Sequence, residues 1–146
     1  MLYWLPPILW MSAMFFFSTD IFSAEETGSV LRSLIHSLLP FLGEEGFQSL
    51  HFLIRKSAHF TEYGILSLLL YRAFRNRSAL GWQRRWASYS LLIVVISALA
   101  DEYHQSFTRL RTPSIDDSLL DIAGGFTALF LLWVVRRKAK SDKSTY

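Results

Sequence analysis

The sequence predicts an all-α fold, an integral membrane four-helix bundle with short interfacial helices between the first and second spans. Half of the 146 residues are hydrophobic (51%), which is a high fraction for a soluble domain of this length. Several apolar segments approach the roughly 20 residues that a helix needs to cross the hydrocarbon core. Basic residues flank these segments and do not alternate with polar positions as they do on a nucleic-acid-binding surface. We therefore expect no nucleic-acid partner.

Four apolar segments are candidate spans, at about residues 2–18, 57–74, 86–107 and 118–135. Pro6 and Pro7 fall in the first turns of the first segment, where their missing N–H groups would have no helical partner anyway. A cleaved signal peptide is the alternative, but residues 1–7 contain no Lys or Arg and the cleavage motif is poor. We expect one transmembrane domain over residues 1–138, followed by a polar cytoplasmic tail over 139–146.

The distribution of charge predicts the orientation of these spans. Basic residues follow the second and fourth spans, and cytoplasmic loops carry an excess of Lys and Arg. Four spans then place both termini in the cytoplasm and the protein in the cell membrane as a multi-pass chain. All acidic residues except Asp142 fall in the outer loops or in the outward ends of the spans. The basic residues concerned are Arg75, Arg77, Arg84, Arg85, Arg136, Arg137, Lys138, Lys140 and Lys143.

The segment between the first two spans is long for a simple connection. Apolar residues recur at helical spacing over 30–39, Pro40 and Gly43 interrupt the pattern, and Phe47, Leu50 and Ile54 resume it. This predicts two short helices that lie on the outer leaflet or cap the bundle. His51 would then be a surface residue.

Ionisable side chains inside the spans are the most informative feature of the sequence. Each costs about 2.5 to 3.5 kcal/mol on insertion scales, so it normally faces protein or water and has a partner. The topology brings these residues to similar depth near the outer face. Gly124, Gly125 and Ala128 continue the polar side of the fourth span and would let a neighbouring helix approach closely. The polar residues are Lys56, His59, Glu62 and Tyr63 in span two, Asp101, Glu102, His104 and Gln105 in span three, Arg109 and Arg111 in the loop, and Asp116, Asp117 and Asp121 in span four.

These residues could form either a structural ion-pair network or a functional site. In the network, Lys56 and Arg111 would neutralise Asp101, Glu102 or Asp121. Buried ion pairs are poor stabilisers compared with apolar side chains, so the cluster favours a site. We predict His59, Asp101 and Glu102 as acid/base candidates. The predicted binding residues are Lys56, Glu62, Tyr63, Gln105, Arg109, Arg111, Asp116 and Asp121.

The residue types indicate a chemistry for this site. Lys56, Arg109 and Arg111 could hold a phosphate or carboxylate, and His59 could exchange protons near neutral pH. No nucleophile motif of the Gly-x-Ser-x-Gly or Ser-x-x-Lys type is present, so whether catalysis occurs stays open.

We expect no cofactor. A divalent metal is a variant of this interpretation, with His59, Glu62, Asp101 and Glu102 as ligands, but the spacing is not His-Glu-x-x-His.

The same residues resemble the VanZ-like family of bacterial membrane proteins. The resemblance covers nearly the whole chain and implies about four transmembrane helices. The founding member contributes to resistance against the glycopeptide teicoplanin, so the resemblance implies a role in the cell envelope and in antibiotic resistance. The matching positions are Phe17-Ser18-Thr19, Lys56-Ser-Ala-His59, Glu62-Tyr63-Gly64, Arg72, Asp101-Glu102, Gln105, Phe107, Arg111, Asp116, Asp121 and Gly124.

Three functions are compatible with these patterns. The first is binding or modification of an amphipathic envelope molecule, such as a membrane lipid or a lipid-linked cell-wall precursor. The second is a non-catalytic accessory protein that docks a membrane protein partner or a second copy of itself. The third is an ion- or proton-coupled transporter, which needs polar residues across the full membrane thickness. The inner halves of the spans are nearly free of ionisable groups, so the third is disfavoured.

Overall fold

The computed structural model describes residues 2–19, 24–107 and 114–142. These ranges form five α-helices and contain no strand, in agreement with the all-α prediction. The helices are α1 (Leu5–Phe17), α2 (Ala24–Leu38), α3 (Glu44–Arg75), α4 (Arg84–Gln105) and α5 (Ile115–Asp142).

The helices differ in how well they suit a membrane. Within the described residues, one helix segment, Ile115–Ala139 in α5, is long and apolar enough to span a membrane by length and composition. The apolar helix α1 has 13 residues and begins with the prolines near its first turn, as expected. The predicted second span lies within α3, and the predicted third span largely coincides with α4, which ends at Gln105. Polar residues at one end of each span lower its mean hydropathy. By length and composition, the described helices therefore support one membrane span.

The segment before the second predicted span differs from the expectation. Only one of the two predicted short helices, α2, is separate. The second forms the first turns of α3, which runs without interruption for 32 residues. The break falls at Pro40 to Gly43, and Gly43 takes an extended conformation (φ −68°, ψ 174°) before α3 begins. No proline follows within α3 to stop the helix, so the prediction of two separate interfacial helices is wrong.

The side chain of His51, a residue of α3, packs between α3 and α2 and is buried, contrary to the expected surface position. It is 7% exposed, its ring stacks on Phe47 at 5.8 Å, and a Cβ at Gly28 of α2 would lie 3.3 Å from its Cε1 atom. Burial lowers the pKa of His51, and the charge of Arg55 acts in the same direction. The neutral imidazole is thus the form that suits the contact between α2 and α3.

The core of the bundle surrounds α3. This helix packs most extensively on α5, and α4 contacts both. Helix α1 adds Trp10 and Met14 to the cluster around α3 and α4. A second cluster, nearer the basic end of the bundle, consists of Tyr71, Trp86 and Leu129. The first cluster consists of Tyr63, Leu66, Leu70, Val94 and Ala98.

Glycines bring α3 and α5 into backbone contact, as the sequence predicted. A Cβ at Gly124 would lie 2.2 Å from the carbonyl oxygen of Phe60, and one at Gly64 would lie 3.4 Å from the carbonyl oxygen of Gly124. Gly125 faces Val94 of α4, where a Cβ would lie 2.8 Å from that side chain. This close approach fixes the register of α3 against α5 and brings His59 opposite Asp121.

Candidate functional site

His59 of α3 and Asp121 of α5 form the innermost pair of the site. The Nδ1 atom of His59 lies 3.4 Å from Oδ1 of Asp121. Asp121 is completely buried (0% exposed), and neither of its oxygens accepts a hydrogen bond from a described residue. The pair is thus an ion-pair contact without hydrogen-bond geometry.

Lys56 and Asp117 form a second pair, one turn closer to the start of α5. Their side chains are in direct contact and half-buried. Lys56 precedes His59 by three residues and Asp117 precedes Asp121 by four, so both pairs lie on the facing sides of the two helices. Lys56 is therefore held by Asp117 and by none of the carboxylates proposed for it in the structural network.

Helix α4 contributes Glu102, which is 9% exposed. Its Oε2 atom accepts a hydrogen bond of 2.5 Å from the backbone N–H of Ser114, the residue directly before α5 begins. A carboxylate at this position also interacts favourably with the positive end of the α5 helix dipole. The other oxygen, Oε1, is buried and has no hydrogen-bond partner among the described residues.

Asp101 and Gln105 connect α4 to the end of α1. The Nε2 atom of Gln105 donates to Oδ2 of Asp101 at 2.9 Å and to the hydroxyl of Ser18 at 3.4 Å. Both Gln105 and Ser18 are buried. Asp101 thus has a satisfied oxygen, which distinguishes it from Glu102 and Asp121.

The charges of these groups act on one another. The negative charges of Glu62 and Asp101 act on His59 in addition to that of Asp121. Tyr63, which is 2% exposed, is close enough to four carboxylates for their charges to act on it. These residues from three helices therefore make one group, here named the polar cluster. It consists of Lys56, His59, Glu62, Tyr63, Asp101, Glu102, Gln105, Asp117 and Asp121.

The predicted residues divide into three sets. Most lie in the polar cluster, but Asp116 is exposed in the first turn of α5 and is not brought into it. Arg109 and Arg111 fall outside the described residues. His104 lies apart, with its ring 4.5 Å from that of Phe15.

Three contacts were missed by the sequence reasoning. Asp117 was not among the predicted binding residues, although it lies four residues before Asp121 and therefore on the same face of α5. The family resemblance includes Ser18, but nothing in the sequence pointed to its contact with Gln105 or to that of the Ser114 backbone with Glu102, because these contacts join distant segments.

The described residues do not show the geometry that the alternative metal site would need. In the part of the chain that the structure describes, no group of three or more His, Asp or Glu side chains lies close enough to hold a metal ion. His59, Glu62, Asp101 and Glu102 therefore do not assemble there as a ligand set.

The described residues combine helices, one apolar segment long enough to span a membrane and a buried polar cluster, which is the class of features expected of a small helical membrane protein. The VanZ/LLP1 family model matches residues 3–136, and the chain belongs to this family of membrane proteins. The family resemblance is thereby confirmed. No curated protein and no solved structure matched the chain.

Proposed function

We propose that this protein binds or modifies the headgroup of an amphipathic cell-envelope molecule at the polar cluster. The observation that carries the proposal is the burial of Asp121 and Glu102 with three oxygens that make no hydrogen bond to described residues. Leaving a buried polar group unsatisfied costs about 1 to 3 kcal/mol. A ligand that donates hydrogen bonds to these oxygens would recover that cost, so a binding site explains the cluster better than a structural role does.

The proposal includes the membrane arrangement. Helices α1, α4 and α5 and the part of α3 after residue 57 would be the four spans, with the polar cluster near the outer face and both termini in the cytoplasm. The basic residues at the other end of the bundle support this orientation. Such a small bundle can enclose a headgroup while the acyl or isoprenoid chain stays in the bilayer. A membrane lipid and a lipid-linked cell-wall precursor both fit this description.

The geometry changes the proposed roles in one respect. His59 remains the acid/base candidate, but the carboxylate within ion-pair distance of it is Asp121, not Asp101 or Glu102. A buried carboxylate beside an imidazole can orient the ring and stabilise its protonated form, as in the catalytic pairs of hydrolases. Arg109 and Arg111 remain candidates for holding a phosphate or carboxylate. A contribution to teicoplanin-type resistance would follow if the ligand is a cell-wall precursor.

Transport is disfavoured by the packing below the cluster. Leu66, Leu70, Val94 and Ala98 are buried there in one hydrophobic cluster, and the buried hydroxyl of Ser67 donates its hydrogen bond to the carbonyl oxygen of Gly64. An ion or proton path through one copy of the chain would need polar groups at this level.

The experiment that tests the proposal is complementation of a deletion strain under envelope stress, including growth with teicoplanin. His59→Ala and Arg111→Ala should each reduce complementation to the level of the empty vector. Loss of an acid/base group such as His59 typically costs about 100-fold or more in rate, and loss of Arg111 would remove a candidate contact to the anionic group. Glu45→Ala, which alters an exposed residue outside the cluster, should complement fully.

Immunoblots of the membrane fraction separate this result from simple destabilisation. The proposal expects all three variants at wild-type abundance. Parallel loss of abundance and phenotype would support the structural ion-pair network. Normal abundance with full complementation by all variants would mean that the cluster has no function in this assay, and copurification of a partner protein in mild detergent would then test the accessory role.

A further inference from the structure

We infer that the ligand of the polar cluster carries a primary ammonium group. This rests on the proposed function, because it assigns the chemical class of the headgroup bound at the same site. The site would then select molecules such as an aminoethyl phosphate headgroup or an amino sugar over purely anionic ones.

The balance of charge in the cluster favours a cationic ligand. Two cationic side chains belong to the cluster, and each is already paired, Lys56 with Asp117 and His59 with Asp121. Even with His59 protonated and Glu62 left aside, carboxylates outnumber cationic side chains among the described residues of the cluster. Desolvated carboxylates without counter-charges are costly in a low-dielectric interior. The carboxylates of the described cluster are Glu62, Asp101, Glu102, Asp117 and Asp121.

Hydrogen bonding gives a second argument, separate from the charge balance, for a ligand that carries N–H donors. Glu102 Oε1 and both Asp121 oxygens are buried and accept no hydrogen bond from a described residue. The two carboxylates lie close enough for their charges to act on each other. A primary ammonium is a compact cation with three N–H donors and no acceptor, so its donors match the acceptors that these side chains offer. A quaternary ammonium carries the same charge but has no donor.

One cation of the anion clamp expected from the sequence is already paired within the protein. Lys56 was predicted to hold a phosphate or carboxylate, yet its ammonium contacts Asp117. An anion entering between α3 and α5 would meet Asp117 and Asp121, and both cationic side chains of the described cluster are already paired. The described helices therefore favour the cationic end of a zwitterionic headgroup.

The test uses the full chain in mild detergent, freed of copurified lipid and mixed with lipids of identical acyl chains. The lipids are phosphatidylethanolamine, phosphatidylcholine and phosphatidylglycerol, and native mass spectrometry measures the fraction retained. We expect phosphatidylethanolamine to be retained about tenfold more tightly than either of the others, because one charge-assisted hydrogen bond is worth at least this factor. Glu102→Gln should reduce the preference about tenfold, and the matched control Glu45→Gln should leave it unchanged.

Different failures have different meanings. Tightest retention of phosphatidylglycerol would overturn the ammonium assignment and leave headgroup binding intact. Equal retention of all three lipids by the wild-type chain would overturn both this assignment and binding of these headgroups. The comparison of the three lipids on the wild-type chain is sufficient to decide for or against the ammonium assignment. A poorly folded Glu102→Gln variant therefore does not weaken the test.

Soluble amines identify the source of the ammonium. Displacement of phosphatidylethanolamine by phosphoethanolamine, but not by phosphocholine, would support the ammonium assignment and extend it to soluble molecules. Resistance to both, with the lipid preference maintained, would support the assignment and restrict it to an ammonium carried by a lipid. Equal displacement by phosphoethanolamine and phosphocholine would contradict recognition of N–H donors.

Discussion

Gly124→Ala is expected to separate α3 from α5 and to dismantle the polar cluster. The new Cβ would lie 2.2 Å from the Phe60 carbonyl oxygen and 2.9 Å from its carbonyl carbon. Backbone atoms cannot rotate away as a side chain can, so the helices must move apart. Overpacking of a core typically costs about 1 to 3 kcal/mol, and we expect the upper end of that range here. The measurement is thermal unfolding of the purified protein, with a fall in Tm of about 10 °C.

Two other glycines provide the comparison for this variant. Gly81 is exposed in the link between α3 and α4, and a Cβ at this position would have no neighbour within 4 Å, so Gly81→Ala should leave Tm unchanged. Gly64→Ala should have a smaller effect than Gly124→Ala, because its Cβ would stay 3.4 Å from the nearest backbone oxygen. A wild-type Tm for Gly124→Ala would show that α3 and α5 do not approach as described.

Reversal of either charge in the Lys56 and Asp117 pair is the second large expected effect. Lys56→Asp would place two carboxylates together between α3 and α5, and Asp117→Lys would place two ammonium groups there. Removal of one partner from a buried pair costs about 3 to 5 kcal/mol. Because this pair is half-buried, we expect about 2 kcal/mol for each single reversal. The double reversal should recover more than half of the loss measured for the single variants.

The exposed pair between Arg32 of α2 and Glu44 of α3 is the matched control. Its two hydrogen bonds are 2.7 and 2.8 Å, but exposed pairs contribute at most about 1 kcal/mol. The same reversals there should change the free energy of unfolding by less than that amount. If the double reversal of Lys56 and Asp117 is as unstable as the two single losses added together, the residues are not coupled across the helices.

The helical architecture could be predicted from the sequence because it depends on local signals. Apolar segments of nearly spanning length predicted helices that correspond to α1, α4 and α5, and basic residues mark one end of α4 and of α5. The prolines of α1 and the break at Pro40 also lie where expected. The continuity of α3 was missed because an amphipathic segment followed by an apolar one has the same local pattern whether or not the helix bends between them. Only the absence of a proline or a glycine pair after Phe47 favoured one helix.

The membership of the polar cluster was largely predictable, whereas its pairing was not. Helical periodicity places His59 on a face, but it does not say which carboxylate of another helix lies opposite. That choice depends on the register at Gly124 and Phe60. The difference between Asp116 and Asp117 has a similar origin, because adjacent residues in a helix point about 100° apart. The exposed Asp116 and the paired Asp117 could not be distinguished by composition.

The polar cluster requires that side chains from α3, α4 and α5 meet on one side of the membrane. Because the chain contains no cysteine, single replacements report their own location without background. Ser57→Cys, Ser106→Cys and Asp116→Cys alter exposed positions near the polar cluster, and Ala79→Cys and Ala139→Cys alter exposed positions near the basic end. The measurement is reaction with a membrane-impermeant maleimide before and after permeabilisation of intact cells.

We expect the first three cysteines to react in intact cells and the last two to react only after permeabilisation. If Ser57→Cys, Ser106→Cys and Asp116→Cys divide between the two sides, then α3, α4 and α5 do not bring their polar ends together. In that case the polar cluster cannot exist in the membrane.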